Sequence, residues 1–305
     1  MVMRPTEGTL AESASASDRG RGRQSELSRS WRRFKRYRPG LAGTFLILLL
    51  ILIAIFAPVL APYSPEKVDT SRMGEAPSWS HPLGFDGIGR DVLSRTIYGT
   101  RVALLVGLLS TLISVVIGVA VGATAGFFGG AIDTVLSRIV DTLMAFPLLV
   151  LLVTLSAVFS PSLKTTIIVI GVSVWASYAR LVRADVLSLR ERDFIQSARA
   201  AGATNARIIW RHVVPNVLGP VIVIATLGVG GIIILEAALS FLGLGVQPPT
   251  PSWGGDLSSA RQYLEIYPHM AIAPGIMITI TVLAFNLLGD GLRDALDPRL
   301  KVMRT

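Results

Sequence analysis

Along the chain, long charge-free apolar runs alternate with short charged connections, and each run can be measured against a bilayer. A helix crossing about 30 Å of hydrocarbon takes roughly 20 mainly apolar residues. Six runs approach that length, at about 40–61, 102–128, 142–159, 162–185, 217–242 and 270–288. The first, "GLAGTFLILLLILIAIFAPVLA", carries no charge, and the fifth is interrupted only by Glu236. In the fourth the charge-free part stops at Ala179, so Arg180 and Arg183 must snorkel to an interface. The pattern predicts an all-α polytopic membrane protein with six transmembrane helices. "APVLAP" at the end of the first run offers the small residues of a signal-peptide cleavage site. The basic segment ahead of it is too long for an ordinary signal peptide, and the run is long enough to span, so it reads as a retained anchor.

The connections add organisation and direction. Residues 1–30 are rich in Ser, Gly and Arg and almost free of large apolar side chains. Such a segment cannot bury enough surface to offset its ordering entropy, so 1–38 reads as a disordered basic tail ahead of a transmembrane domain at 39–305. "RSWRRFKRYRPG" interleaves its charges with Trp31, Phe34 and Tyr37, a pattern that nucleic-acid binding also uses. Because an apolar run follows at once, these residues read as the cytoplasmic flank of a span, with no nucleic-acid partner. Placing the N-terminus inside puts 22 Lys and Arg on cytoplasmic segments against 7 on outer ones. That excess predicts cytoplasmic N- and C-termini. Residues 62–100 and 243–269 then face outward, and 180–216 is the largest inner loop after the tail.

Composition narrows the chemistry. The chain is 51% hydrophobic with a formal net charge of +9, and it has no Cys. Its three His (His81, His212 and His269) lack ligand-like spacing, so neither metal nor disulfide chemistry is expected. None of the four Lys follows a Gly, which excludes the phosphate-cradling Gly-Lys-Ser/Thr loop from this chain. Glu236 is the one carboxylate clearly at membrane depth, whereas Asp133, Asp141 and Asp185 fall near the inner interface. Glu236 reads first as a helix-packing or outer-vestibule group and second as a contact to cargo. "GVSV" at 171–174 has no His partner in a neighbouring span and "LLGDGL" at 287–292 holds a single Asp, which argues against an intramembrane hydrolase. The chain reads as a non-enzyme without cofactors of its own. Gly118, Gly122 and Gly126 form a small-residue stripe, open to packing within the chain or against another subunit.

The inner loop, 186–216, is the most informative connection. Segment 186–201 favours a helix with Leu187, Phe194, Ala198 and Ala201 approximating one face. Gly202 follows where a helix C-terminus takes up a left-handed conformation. Thr204 can cap a second helix from Asn205 to about Val213, which is expected to end before Pro215. Within it Ile208, Ile209 and Trp210 form an apolar cluster between Arg207 and Arg211.

"QSARAAGATNARIIWRHVVPN" resembles the cytoplasmic loop of permease subunits of ABC importers, whose pattern is Glu-Ala-Ala, three residues, Gly, nine residues, then Ile-x-Leu-Pro. Gln196, Ser197 and Ala198 fill the triplet, Gly202 follows after three residues, and His212 to Pro215 follow after nine more. Gln196 stands in place of Glu, Ser197 in place of Ala, and His212 in place of Ile. "HPLGFDGIGRDVLSRTIYGTRVAL" (81–104) and "EAALSFLGLGVQPPTPSWG" (236–254) are similar to the dipeptide, oligopeptide and nickel branch of these permeases, specifically its second, six-span subunit.

That resemblance implies a type I ABC importer permease fold in a bacterial or archaeal cytoplasmic membrane. It implies a homologous second permease, two ATP-binding cassette ATPase subunits that hold ATP and Mg, and an extracytoplasmic solute-binding protein. It assigns coupling to the ATPases to Gln196, Ser197, Ala198, Gly202, Ala203, Thr204, Arg207, Ile208, Trp210, His212 and Pro215. Di- or oligopeptides are the expected cargo, and a self-sufficient secondary carrier or channel is the rival. Arg90 and Asp91 in the first outer segment alternate in sign with Asp86 and Arg95, which predicts a solvated face that either packs or meets the binding protein. "VQPPTPSWGGDL" predicts a stiff, largely extended loop with Trp253 at the membrane interface, either docking a partner or capping the path.

Overall fold

The structure, a computed structural model, describes residues 31–296. The N-terminal residues 1–30, most of the predicted tail, lie outside the described residues, as do 297–305. Residues 31–34, in the described part of the predicted tail, form a helical turn in which Phe34 is buried. Among the described residues the regular structure is helical: α1 (Arg38–Leu60), α2 (Val92–Phe128), α3 (Gly130–Ala145), α4 (Leu148–Val158), α5 (Leu163–Arg190), α6 (Asp193–Ala200), α7 (Asn205–Phe241), α8 (Trp253–Ala260) and α9 (His269–Leu296). Five of these helices are long and apolar enough to cross a membrane, and α3 with α4 makes a sixth candidate bent by 90°.

The bend corrects the expectation of one straight helix over 142–159. Phe146 is extended (φ −80°, ψ 136°) because the ring of Pro147 disfavours helical dihedrals in the residue before it. Other boundaries move for equally local reasons. α2 starts ten residues earlier than the apolar run, at Val92, because Asp91 accepts a hydrogen bond from Ser94 N–H (2.7 Å) and caps it. α5 continues past Ala179 to Arg190; Arg183 pairs with Asp133 and Arg180 with Asp141 (2.7 Å), both on α3. These arginines are neutralised by a neighbouring helix and need not reach for an interface alone.

α2 and α5 form the central pair, and small residues let them approach. A Cβ on Gly122 would lie 2.4 Å from Ala179 O, and one on Gly118 would lie 2.5 Å from Tyr178 Cβ. Ser110 and Ser114 donate across the same seam to the carbonyls of Ile167 (3.0 Å) and Gly171 (2.8 Å). The glycine stripe therefore packs within the chain. α1 lies at the rim: it buries Gly43, Ile47 and Leu50 against α9 and α2, and leaves Phe45, Leu48, Leu52, Ile55 and Val59 exposed, as lipid contact requires.

The seam predicts that Gly122→Val, which overpacks it, costs about 1–3 kcal/mol. The check is the thermal midpoint of the purified protein, which should fall, while substitution at Gly219, where an added Cβ meets nothing within 4 Å, should cost less.

Candidate functional site

Two constructions stand out, one at each end of the α2, α5 and α7 bundle. The first is an elbow of α6 and the start of α7. α5 stops at Arg190, Arg192 is extended (φ −75°, ψ 144°), and α6 runs only to Ala200, so the expected continuous helix over 186–201 is broken. Gln196 Nε2 donates to Arg190 O (3.0 Å) and closes the break.

Gly202 has φ +77°, and the turn is a Schellman motif: Ala203 N–H donates to Ala198 O (3.1 Å) and Gly202 N–H to Arg199 O (2.9 Å). A side chain at position 202 would meet open space, so only the backbone dihedral demands glycine there, at about 1–2 kcal/mol for any L residue. Thr204 Oγ1 then accepts from Arg207 N–H (3.4 Å) and caps α7.

α7 does not end before Pro215 as the proline rule predicted. A π turn at Ile209–Val213 intervenes, Val214 N–H bonds to Ile209 O, and Val214 stays helical immediately before Pro215. The wider turn accommodates the missing proline N–H, and Asn216 Nδ2 donates to His212 O. Elbow and span are consequently one helix, Asn205–Phe241.

The elbow has two faces. Ile195, Ile208 and Val213 are fully buried against Phe127 of α2 and Val182 and Val186 of α5. Gln196, Ser197, Arg207, Trp210, Arg211 and Pro215 are exposed, and His212 is half-buried near Phe194 with ring centroids 6.3 Å apart. The expected apolar face on α6 is rotated: Ile195 is buried, Ala198 half-buried, and Phe194 and Ala201 exposed. Ile208 leaves the expected cluster with Trp210, because side chains two apart on a helix point to different sides. Beside Trp210 opens an apolar groove of about 450 Å³ between α2 and α7, lined by Val116, Val119, Ala123, Phe128, Ile209 and Leu218 among others.

The second construction is a cap made of residues 61–91, the first turns of α2, and α8. Asp86, Arg90, Asp91 and Arg95 within it are buried, contrary to the solvated face expected of Arg90 and Asp91. Asp86 accepts from Arg90 Nε (2.6 Å) and Arg90 N–H (2.9 Å). Arg95 Nε donates to Asp256 (2.8 Å), and its Nη1 donates to Pro65 O (3.1 Å), so one guanidinium joins three segments. His81 Nδ1 meets Asp91 Oδ1 (2.8 Å) and its Nε2 meets Arg72 Nη1 (3.1 Å). An arginine only donates, so Nε2 accepts and the ring proton sits on Nδ1, donated to Asp91.

Burial raises the pKa of Asp256 above its ordinary value, with Arg95 opposing. In the exposed part of the cap, the hydrogen bond from Arg72 lowers that of Glu75.

Trp253 does not present its ring outward as the sequence led one to expect: it is buried, donates to Thr96 O (3.0 Å), and fills the space left by Gly99. The loop expected to be extended turns into α8 there, because Ser252 Oγ accepts from Gly255 N–H (3.1 Å). Glu236 is also buried, at the cap end of α7, where Oε1 accepts from Ser240 Oγ (2.8 Å), which in turn accepts from Val246 N–H (3.1 Å). Asp256 and Arg95 were the residues sequence reasoning undervalued. The Ser-x-x-Gly-Asp spacing after Pro251 was the signal that a capped helix begins there.

Comparison with known proteins agrees with this architecture. Residues 118–302 match the family described as binding-protein-dependent transport system inner membrane component, and 25–77 match the N-terminal transmembrane domain of oligopeptide transport permease C. The dipeptide transport system permease protein DppC of Alkalihalophilus pseudofirmus is 43% identical over 272 residues, covering 89% of this chain and 90% of that protein. The glutathione transport system permease protein GsiD of Escherichia coli O157:H7 is also 43% identical over the same shares. Among solved structures, an inward-facing MetNI methionine ABC transporter superposes with a TM-score of 0.55 at 21% identity, over 67% of this chain and 96% of that one, and shares its fold.

The cap makes a stability prediction by contrast. Arg95→Ala leaves Asp256 buried and unpaired, which costs about 3–5 kcal/mol. Arg180→Ala breaks an ion pair whose side chains are about half exposed and costs at most about 1 kcal/mol. Thermal unfolding of the two variants side by side checks the order; equal losses would contradict the buried network.

Proposed function

The chain belongs to the binding-protein-dependent transport system inner membrane component family, and from that premise we propose that it is the permease subunit of an ATP-driven importer of di- or oligopeptides. The peptide cargo rests on the relatives, whose names specify dipeptide and glutathione transport. Family membership favours this reading over a self-powered carrier. Two of these permeases, this chain and a homologous partner, enclose the path in a bacterial or archaeal cytoplasmic membrane. Two ATPase subunits bind ATP and Mg on the elbow side, and a solute-binding protein delivers cargo on the cap side. The excess of Lys and Arg on the elbow side and in the N-terminal segment supports that orientation.

The carrying observation is the two-faced elbow. Its outer face presents Gln196, Ser197, Arg207, Trp210 and Arg211 to solvent, while its inner face is sealed onto α2 and α5 by Ile195, Ile208 and Val213. A partner that grips Trp210 and the arginines therefore moves an element fixed to the spans. Ala198, Gly202, Ala203, Thr204 and Pro215 shape this grip, and Ile208 works from beneath it. Exposed Trp and Arg are the side chains most often found to dominate protein interfaces. Gln196 is engaged with Arg190 O across the break before α6, so it sets the elbow's angle whether or not the partner touches it.

Co-purification of this chain with ATPase subunits and a second permease in mild detergent is the expected result; cargo uptake by the chain alone in proteoliposomes would sink the reading. Two substitutions separate grip from seal. Trp210→Ala should leave the thermal midpoint nearly unchanged and weaken ATPase-subunit binding by about 2 kcal/mol, roughly thirtyfold. Ile208→Ala should instead destabilise the permease by about 2–5 kcal/mol.

A further inference from the structure

A short basic segment leads into α1. Residues 31–38, "WRRFKRYR", hold five Lys and Arg and three aromatic residues, and no acidic residue occurs from 27 to 65. The segment has a defined shape. Lys35 N–H donates to Trp31 O (3.0 Å), Tyr37 N–H donates to Phe34 O (3.0 Å), and Trp31 stacks on Phe34 with centroids 5.9 Å apart. The Lys35 ammonium lies over the Trp31 ring, 5.3 Å from its centre. Among the described residues, the side chains of Arg33, Arg36 and Arg38 meet no ion-pair or hydrogen-bond partner; Asp290 and Asp294 near the end of α9 are exposed and pair with none of them. Three guanidiniums without a carboxylate, held on a folded turn, suit a phosphate-bearing anion.

Contact with the span fixes the depth of this segment. Phe34 is buried where α1 crosses α9: a Cβ on Gly291 would lie 3.0 Å from its ring, and one on Gly40 would lie 3.0 Å from the ring of Tyr37. Gly40 belongs to the first turn of α1, so both rings touch the span itself. The 23 residues of α1 rise about 34 Å, close to the hydrocarbon thickness, and 39–61 carry no charge. Arg38 therefore marks the hydrocarbon boundary, and a turn folded onto Gly40 stays among the headgroups. Helical spacing gives the side it faces. Arg38, Leu41, Phe45, Leu48, Leu52 and Ile55 recur every three or four residues on one face of α1, and all are exposed. The apolar members turn that face to lipid tails, and Arg38 closes it at the level of the same lipids' phosphates.

We propose that residues 31–38 form a binding site for an anionic glycerophospholipid at the rim of the bundle. Arg33, Arg36 and Arg38 supply the charge, and Trp31 with Lys35 above it lies in the interfacial layer that such rings favour. A bound anionic headgroup relieves the mutual repulsion of five cations on one turn and so steadies the Phe34 wedge between α1 and α9. The site does not depend on how the transporter is powered, so its failure would leave the importer reading intact.

Photocrosslinking in the assembled complex tests it locally. Phosphatidylglycerol and phosphatidylcholine, each with a photoreactive group at the glycerol end of one acyl chain, are compared in phosphatidylcholine vesicles, and labelling of residues 31–45 is read by mass spectrometry. Each cation beside an anionic lipid surface is worth about fivefold. At low salt, phosphatidylglycerol should therefore label the segment at least about fivefold more than phosphatidylcholine. The preference should vanish in about 1 M salt, where screening acts within about 3 Å. It should also vanish when Arg33, Arg36 and Arg38 are replaced together by Gln, and survive their replacement by Lys. Equal labelling by the two lipids, or a preference that the Gln variant keeps, would overturn the proposal. So would labelling by neither lipid with crosslinks to another subunit instead, which would assign the segment to a protein contact. If the triple variant yields little complex, Arg36→Gln alone, at an exposed position, reads the same loss at about fivefold.

Discussion

Fully buried side chains seal the elbow to the bundle: Ile195 of α6 and Ile208 and Val213 of α7 close on Phe127, Val182 and Val186. Each of the three elbow residues loses all contact with solvent, and deleting such a side chain typically costs about 2–5 kcal/mol. An elbow attached this firmly cannot tilt without tilting what lies above it. The Schellman turn at Gly202 and the cap at Thr204 fix the angle between its two helices, and the π turn at 209–213 lets α7 pass Pro215 unbroken. The backbone path from an exposed Trp210 to the cap end of α7 is therefore one helix, Asn205–Phe241.

The rest of the bundle extends that rigidity to the opposite end. Glycines at 118, 122 and 126 bring α2 and α5 into backbone contact, and buried serines bond across the seam. At the cap, Arg95 and Trp253 of the same neighbourhood tie the start of α2 to α8, while Gly254 packs on Ala237 of α7. A hydrophobic seal at one end and a buried ionic network at the other thus grip the same helices. Force applied at the elbow therefore moves a body.

Much of this was legible in the residues. Span positions followed from charge-free length, and the elbow from a glycine and a threonine two residues apart, because backbone dihedrals and capping are local. Three things were not. The bend at Phe146–Pro147 was hidden inside an apolar run, where composition outvotes a single proline. Ile208 and Trp210 looked like one cluster, and only the packed helix shows that they face opposite ways. Asp86, Arg90, Asp91 and Arg95 looked solvated because the element that helps cover them is distant in sequence: the partner of Arg95, Asp256, lies 161 residues away. Trp253 was misjudged for the same reason: its pocket is made by Gly99 on a distant helix.

The central claim is that elbow and bundle move as one body. The chain lacks Cys, so Asn205→Cys on the elbow and Ser160→Cys before α5, both exposed positions, can carry a pair of spin labels in the assembled complex. The account predicts a single Asn205–Ser160 distance distribution in the nucleotide-free and ATP-bound states. A distribution that shifts with nucleotide would show the elbow flexing against its own spans, and would contradict it.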